Sequence, residues 1–196
     1  GVSFKMAVAG RTSQPTVLLD STGRAYTLTS HNLPSARGQG EPVTGRINPP
    51  SGATFEGILA GDPSQLYLLA SDAGYGFVGE LGDMQTKNRA GKAVLSLPKG
   101  ARVLQPARID EQENAFVAAV SNEGRLLIFP LEELPRLTRG KGNKLISIPS
   151  ARVQSREEFV VAVQVMKPED ALLVYAGKQH KVMKFSDLEH YQGERG

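Results

Sequence analysis

The sequence predicts an all-β fold, a propeller-like array of about four four-stranded blades, on three observations. Glycine and proline together occupy 33 of 196 positions, which leaves little room for long helices and calls for many turns. Apolar residues come in short runs bounded by turn residues, none longer than the six residues of 115–120. A hairpin signature, two apolar runs around a turn ending in glycine, recurs at a nearly constant interval, and a fixed period decides the architecture of a whole chain.

The first hairpin covers residues 16–28 and turns through Asp20, Ser21, Thr22 and Gly23. Its successors run over 66–78 around Gly74, 116–129 around Gly124 and, more weakly, 172–185 around Gly177, so the turn glycines are separated by 51, 50 and 53 residues. After each hairpin comes a leucine (Leu33, Leu81, Leu134, Leu188), then a basic glycine-containing loop, then a short β-branched strand such as 93–97 or 145–148. A further strand is expected before the next hairpin, at 53–59, 101–105 and 159–165. Four strands per roughly 50 residues is the content of a propeller blade. The repeats fall at about 14–47, 53–97, 101–148 and 158–196 of one domain, and the irregular stretch 149–167 reads as an elongated loop between the third and fourth blades. Alternation along the second hairpin assigns Tyr75 and Phe77 to packing between blades.

Charge singles out the loops. The segments 35–46, 87–92 and 136–144 carry +1, +3 and +4, together +8 against +3 for the whole chain, so the remainder is net −5. Glycine between arginine and lysine lets the backbone approach an anion closely, and its N–H groups can bind one alongside the side chains. Phosphate is the ligand this pattern fits, and loops at equivalent places on successive blades would form a basic stripe along one rim, the footprint of a duplex backbone. The cations expected to contact duplex DNA are Arg37 and Arg46 in the first loop, Lys87, Arg89 and Lys92 in the second, and Arg136, Arg139, Lys141 and Lys144 in the third. No recognition helix or zinc finger is visible, so sequence-specific readout is not expected.

Catalytic patterns are missing. Residues 91–93 resemble the end of a phosphate-binding P-loop, but Thr86 stands where its first glycine is required and Ala93 replaces the magnesium-binding hydroxyl. His31 in the first repeat and His180 and His190 in the fourth have no metal-ligand spacing, no Gly-x-Ser-x-Gly elbow is present, and the acid pairs Glu132–Glu133, Glu157–Glu158 and Glu169–Asp170 read as solvated loop charges. With no cysteine the chain has no disulfide, thiolate zinc site or cysteine nucleophile, which fits a reducing cytoplasm. Neither a membrane span nor a secretory leader is expected. The chain opens on Gly1 and closes on Gly196 within a basic motif, and is expected to be a piece of a longer protein.

The strings at 33–42 (Leu-Pro-Ser-Ala-Arg-Gly-Gln-Gly-Glu-Pro), 70–78 (Ala-Ser-Asp-Ala-Gly-Tyr-Gly-Phe-Val), 87–92 (Lys-Asn-Arg-Ala-Gly-Lys) and 140–144 (Gly-Lys-Gly-Asn-Lys) resemble the C-terminal domain of the A subunit of bacterial type IIA topoisomerases, and more closely that of topoisomerase IV. The resemblance covers essentially the whole chain. It implies a β-pinwheel, a propeller variant whose blades exchange a strand, with DNA bound along the outer rim. It also implies a non-catalytic domain separated from an upstream blade and from the DNA-cleaving core, so that no tyrosine here is the cleaving one. ATP and magnesium would belong to the holoenzyme rather than to this domain. The B subunit, like a second A subunit, would be contacted through regions outside it. The seven-residue gyrase box (Gln-Arg-Arg-Gly-Gly-Lys-Gly) appears only in degenerate form, at 89–93, 139–142 and 37–40 and truncated at 193–196. That departure implies decatenation and relaxation, with DNA geometry selected by the domain, rather than gyrase-type wrapping; a propeller scaffold that binds another protein is the alternative reading of the residues.

Overall fold

The computed structural model describes residues 15–28 and 47–167, and the backbone of two later strands. In chain order the elements are β1 (Thr16–Asp20), β2 (Arg24–Leu28), β3 (Phe55–Leu59), β4 (Leu66–Ser71), β5 (Tyr75–Glu80), α1 (Leu81–Met84), β6 (Lys92–Ala93), β7 (Ala107–Ile109), β8 (Phe116–Ser121), β9 (Leu126–Pro130), β10 (Asn143–Lys144), α2 (Ser150–Gln154), β11 (Val160–Met166), β12 (Ala171–Ala176) and β13 (Gln179–Lys184). The fold is all-β, and among the described residues no helix is long and apolar enough to cross a membrane.

The first three hairpins close on the same turn. The N–H of Gly23, Gly74 and Gly124 donates to the carbonyl three residues earlier, at 3.1, 3.1 and 3.0 Å. All three glycines sit in the left-handed region, at φ +85°, +89° and +80°, where a side chain would be strained. In the first turn the buried Asp20 carboxylate locks this geometry: Oδ1 accepts from the Thr22 and Arg24 amides (2.8 and 3.0 Å) and the Thr22 hydroxyl, and Oδ2 accepts from the Tyr26 hydroxyl at 2.7 Å. Ser121 takes that place in the third hairpin, accepting from the Glu123 and Arg125 amides and donating to Glu158 Oε2 at 2.9 Å.

The sheets do not coincide with the sequence repeats. Their strand orders are β3-β1-β2-β6, β10-β5-β4-β7, β11-β8-β9 and β12-β13. Each of the first three hairpins therefore takes its outer strand from the chain that leads to the next hairpin (β3, β7, β11). In the first two sheets the strand on the other flank comes from beyond that next hairpin (β6, β10). The repeats 53–97 and 101–148 thus each contribute strands to two neighbouring sheets. The crossing strands are also shorter and earlier than expected: Lys92–Ala93 pairs with Ala25 and Arg24, and Asn143–Lys144 with Gly76 and Tyr75.

Three further expectations change. The outer strand of the second sheet is broken by Pro106, which has no N–H to give the ladder. Val103 bridges Ser71 and the Leu104 amide donates to Ala70 O on one side of it, while Ala107–Ile109 pairs with Leu68–Leu66 on the other. The stretch 149–167 is not an elongated loop, since it contains α2 and the whole of β11, the seven-residue edge strand of the third sheet. The leucine of the third repeat that matches Leu81 is Leu131, which likewise opens a short helical turn after its hairpin; Leu134 stands in the place of Met84.

The sheets stack face to face. On β4, Leu66, Leu68 and Ala70 pack with Val117, Ala119 and Phe129 of the third sheet, while Tyr67 and Leu69 pack with Val17, Leu19 and Leu59 of the first. This is the period-two alternation of a strand buried on both faces. Phe77 is in that core as its alternation predicts, but Tyr75 is only half-buried. A long contact links the second and third sheets: buried Asp72 receives the Arg102 amide at 2.7 Å and the Arg156 guanidinium at 2.9 Å. Arg156 has φ +62° and lies 4.0 Å over the Phe159 ring.

Gly23 serves the strand exchange directly. A Cβ there would lie 1.9 Å from Leu95 O, on the chain that crosses back from the second repeat. Gly23→Ala is expected to cost more than about 2 kcal/mol, through strain plus displacement of β6, as measured by urea unfolding. The Tyr26 hydroxyl is pushed well above its ordinary value by burial first and by its bond to the Asp20 carboxylate second. The folded chain therefore keeps this proton when the unfolded chain loses it, and the stabilisation is present below about pH 10 and lost as pH rises further. Tyr26→Phe should flatten that alkaline decline in a series of denaturation curves.

Candidate nucleic-acid interface

The second and third basic loops are the connections that make the strand exchange. Both leave a short helical turn after a hairpin and run back to the sheet before it, and their backbones are fixed at several points. In residues 85–91 the Thr86 amide donates to Thr27 Oγ1 (2.8 Å), the Asn88 amide to Thr86 Oγ1 (3.1 Å) and the Gly91 amide to Asn88 O (3.0 Å), while Arg89 O accepts from the Asn48 amide at 2.7 Å. Arg24, directly after the turn glycine of the first hairpin, donates from Nε to Ala90 O and from its terminal nitrogen to Gly91 O, each at 3.0 Å.

Residues 135–142 are sewn to two sheets. Pro135 O accepts from the Val78 amide (2.9 Å) and the Leu137 amide donates to Val78 O (3.0 Å) on β5; the Gly140 amide donates to Val94 O and Gly140 O accepts from the Ser96 amide, both at 2.9 Å. Gly142, at φ +82°, comes so close to β5 that a Cβ would lie 1.9 Å from Gly76 O. Tyr75, directly after the second turn glycine, carries Lys141 Nζ 4.7 Å above its ring centroid.

Lys87, Arg89, Arg136, Arg139, Lys141 and Lys144 are exposed on these loops and the strand that follows. Arg136 is paired with Glu80 at 3.1 Å, an exposed contact that a ligand can exchange at little cost. Lys92 is different: its side chain is half-buried and its ammonium donates to Asp83 O at 2.5 Å. It therefore ties β6 to α1. Arg37 and Arg46 lie outside the described residues.

The loops are equivalent, but their cations are not. Gly91 and Gly142 share a conformation (φ +81° and +82°) and an offset from the paired hairpin, so Lys92 matches Asn143. The third loop is one residue longer between its helical turn and that glycine, and Lys141 stands where the second loop has Ala90. Arg24 was not singled out from the sequence and Tyr75 was assigned to packing between blades, although both follow a turn glycine of the repeat. Arg125 occupies the same place in the third hairpin, where it bonds to Ser147 O and pairs with Glu158 at 3.1 Å.

Among the described residues no cluster of three or more His, Cys, Asp or Glu could hold a metal ion. His31, His190, Glu169 and Asp170 lie outside the described residues, and His180 falls in β13. Glu158 is not a solvated loop charge: its side chain is fully buried between Arg125, Arg152 (3.4 Å) and Ser121.

A solved structure described as the C-terminal domain of E. coli ParC matches this chain with a TM-score of 0.91 and 44% identity, over 98% of this chain and 78% of that one. The chain belongs to the family of topoisomerase IV A subunits, as their C-terminal domain. The A subunit of DNA topoisomerase 4 from Pseudomonas aeruginosa is 53% identical, and that from Escherichia coli K12 44% identical, each over all 196 residues. The chain spans 26% of the length of these curated relatives. The family model described as DNA gyrase C-terminal domain, beta-propeller, matches residues 115–165. The gyrase A C-terminal domain, at 16% identity and a TM-score of 0.66, shares the fold over 94% of this chain and 62% of that one. The C-terminal domain of a topoisomerase IV A subunit thus presents its exposed loop cations on the segments that exchange between blades.

Removing the Arg24 guanidinium should loosen one such segment selectively. Arg24→Ala is expected to cost about 1 kcal/mol and to speed amide exchange at Asn48 and Gly91, with the β4–β5 ladder unchanged in the same hydrogen-exchange experiment.

Proposed function

We propose that this domain binds duplex DNA, without sequence preference, through the exposed cations of the two crossing loops, and that within topoisomerase IV it helps select DNA geometry for decatenation and supercoil relaxation. The observation that carries this reading is the division of labour within the loops. Their backbones are held by carbonyl and amide contacts, while Lys87, Arg89, Arg136, Arg139, Lys141 and Lys144 stand exposed. Phosphate contacts position a protein on DNA without reading bases, and nothing in a loop of glycine, arginine and lysine is shaped to enter a groove and read base edges. Arg37 and Arg46 join this set by their place in the first basic loop.

The chemistry of strand passage is assigned to regions of the enzyme beyond this chain, as are ATP and magnesium and the contacts with the B subunit or with a second A subunit. Thr86 and Ala93 do not fit a nucleotide site. In the cell the domain would act in the cytoplasm, at the nucleoid.

Fluorescence anisotropy with a labelled duplex of scrambled sequence tests the reading. With roughly five phosphate contacts, log affinity should fall against log salt with a slope of about −4 to −5, and Arg139→Ala with Lys141→Ala should make it shallower by about 2. Lys92→Ala should change the slope less than the Arg139/Lys141 pair does, because one of its N–H groups is already held by Asp83 O. A slope near zero would instead favour a scaffold that binds another protein.

A further inference from the structure

Tyr75 has no part in the phosphate contacts proposed for the loops, and its setting is unlike that of the other aromatic residues of the core. Tyr26, Tyr67 and Phe77 are buried, whereas Tyr75 is half-buried at the first position of β5, paired in register with Lys144. Its ring is the surface on which Lys141 rests, with Nζ 4.7 Å from the centroid. The backbone beside Lys141 is fixed too, since Gly140 is bonded to Val94 and Ser96 and Gly142 abuts Gly76 O. What remains free in Lys141 is its long side chain, and the ring restrains that.

We infer that Tyr75 is a positioning residue for phosphate binding: its ring holds the Lys141 ammonium at the surface of the loop, so that a DNA phosphate meets a cation already in place. This rests on the DNA-binding reading and deepens it. A flexible lysine loses rotamer freedom when it is immobilised on a ligand, and a side chain restrained beforehand loses less. An ammonium over an aromatic face keeps its outer N–H groups directed away from the ring, so the cation–π contact and a phosphate contact are compatible. Arg24 occupies the equivalent place in the first hairpin but spends its guanidinium on the carbonyls of Ala90 and Gly91. It therefore fixes loop backbone, where Tyr75 fixes a cation. The two crossing loops should consequently differ in how much of their binding depends on the residue after the turn glycine.

The test is a double-mutant cycle on the 196-residue chain, read by anisotropy with the scrambled duplex at several salt concentrations and accompanied by thermal unfolding of each variant. A related C-terminal domain has been solved by itself, so the chain is a suitable unit. Tyr75→Leu should weaken binding about two- to tenfold, the range expected for one ordered side chain, with the salt slope unchanged because the lysine still reaches its phosphate. Lys141→Ala should make the slope shallower by about 1. Tyr75→Phe, which keeps the ring, should bind as the unmodified chain does. In the Lys141→Ala background, Tyr75→Leu should have no further effect on binding.

If Tyr75→Leu weakens binding equally with and without Lys141, the ring touches DNA itself and the positioning role is overturned. Loss of binding in Tyr75→Phe would assign the effect to the hydroxyl and overturn it as well. If Tyr75→Leu binds normally while Lys141→Ala loses a contact, the inference fails and the DNA site stands. If Lys141→Ala changes neither affinity nor slope, the DNA-binding assignment of Lys141 itself fails.

Discussion

Because a hairpin of this chain cannot complete its own sheet, the flanking strand must come from beyond the next hairpin and pass close against the turn glycine. The Leu95 and Ile146 carbonyls lie 1.9 and 2.6 Å from where Cβ atoms of Gly23 and Gly74 would stand. At those two turns glycine is required twice over, once by its positive φ and once by the backbone that crosses it. Face-to-face packing follows from the same exchange. A strand such as β4, with neighbours on both sides, has no solvent face, and its six residues are all buried. Each crossing also ties a sheet to its successor by backbone hydrogen bonds as well as by apolar contact, so adjacent blades cannot separate without breaking both.

The crossing also accounts for where the exposed cations are. A loop that runs from one sheet to the edge of the previous one must travel outside the packed faces, and its backbone groups need partners on the way. The third loop finds them on Val78, Val94 and Ser96, in chain segments belonging to two sheets. Side chains on such a loop project outward because inward space is taken by backbone, as Gly142 against Gly76 O illustrates. On the proposed reading, phosphate therefore binds at the joint between blades. A ligand there would meet a rigid surface, and its binding would bear on the angle between neighbouring sheets rather than on one blade alone.

The hairpins were legible because each carries its own evidence: apolar alternation on both sides of a glycine whose left-handed conformation the turn demands. The cations of the second and third loops were legible as charge, and most of them are exposed. The partner of each strand was not legible. A two-residue strand such as Asn143–Lys144 has no periodicity, and its register is set by contact with β5, some 68 residues earlier in the chain. Lys92 shows the same limit, since the contact of its ammonium with a carbonyl of α1 exists only because the tertiary structure brings Asp83 near. Glu158 looked like one of two adjacent loop acids until the fold buried it between Arg125 and Arg152. Tyr75 obeyed the alternation that places Phe77 in the core, yet the strand begins at Tyr75, where the neighbouring sheet no longer covers it.

The offset between the two loops bears on what kind of ligand they can share. A ligand recognised by directed hydrogen bonds to base edges would require matching donors at matching positions, and a one-residue slip would defeat it. A row of phosphates makes no such demand, because attraction between charges falls slowly with distance and is damped only over a Debye length of about 8 Å at physiological salt. Lys141 in the place of Ala90, and Asn143 in the place of Lys92, then amount to a redistribution of charge along a rim that remains basic. The repeat preserves the glycine and the crossing, which the fold requires, and varies the cations, which a polyanion tolerates. That pattern of what is kept and what drifts between equivalent loops of one chain is what sequence-tolerant backbone binding permits, and what base-specific recognition would not.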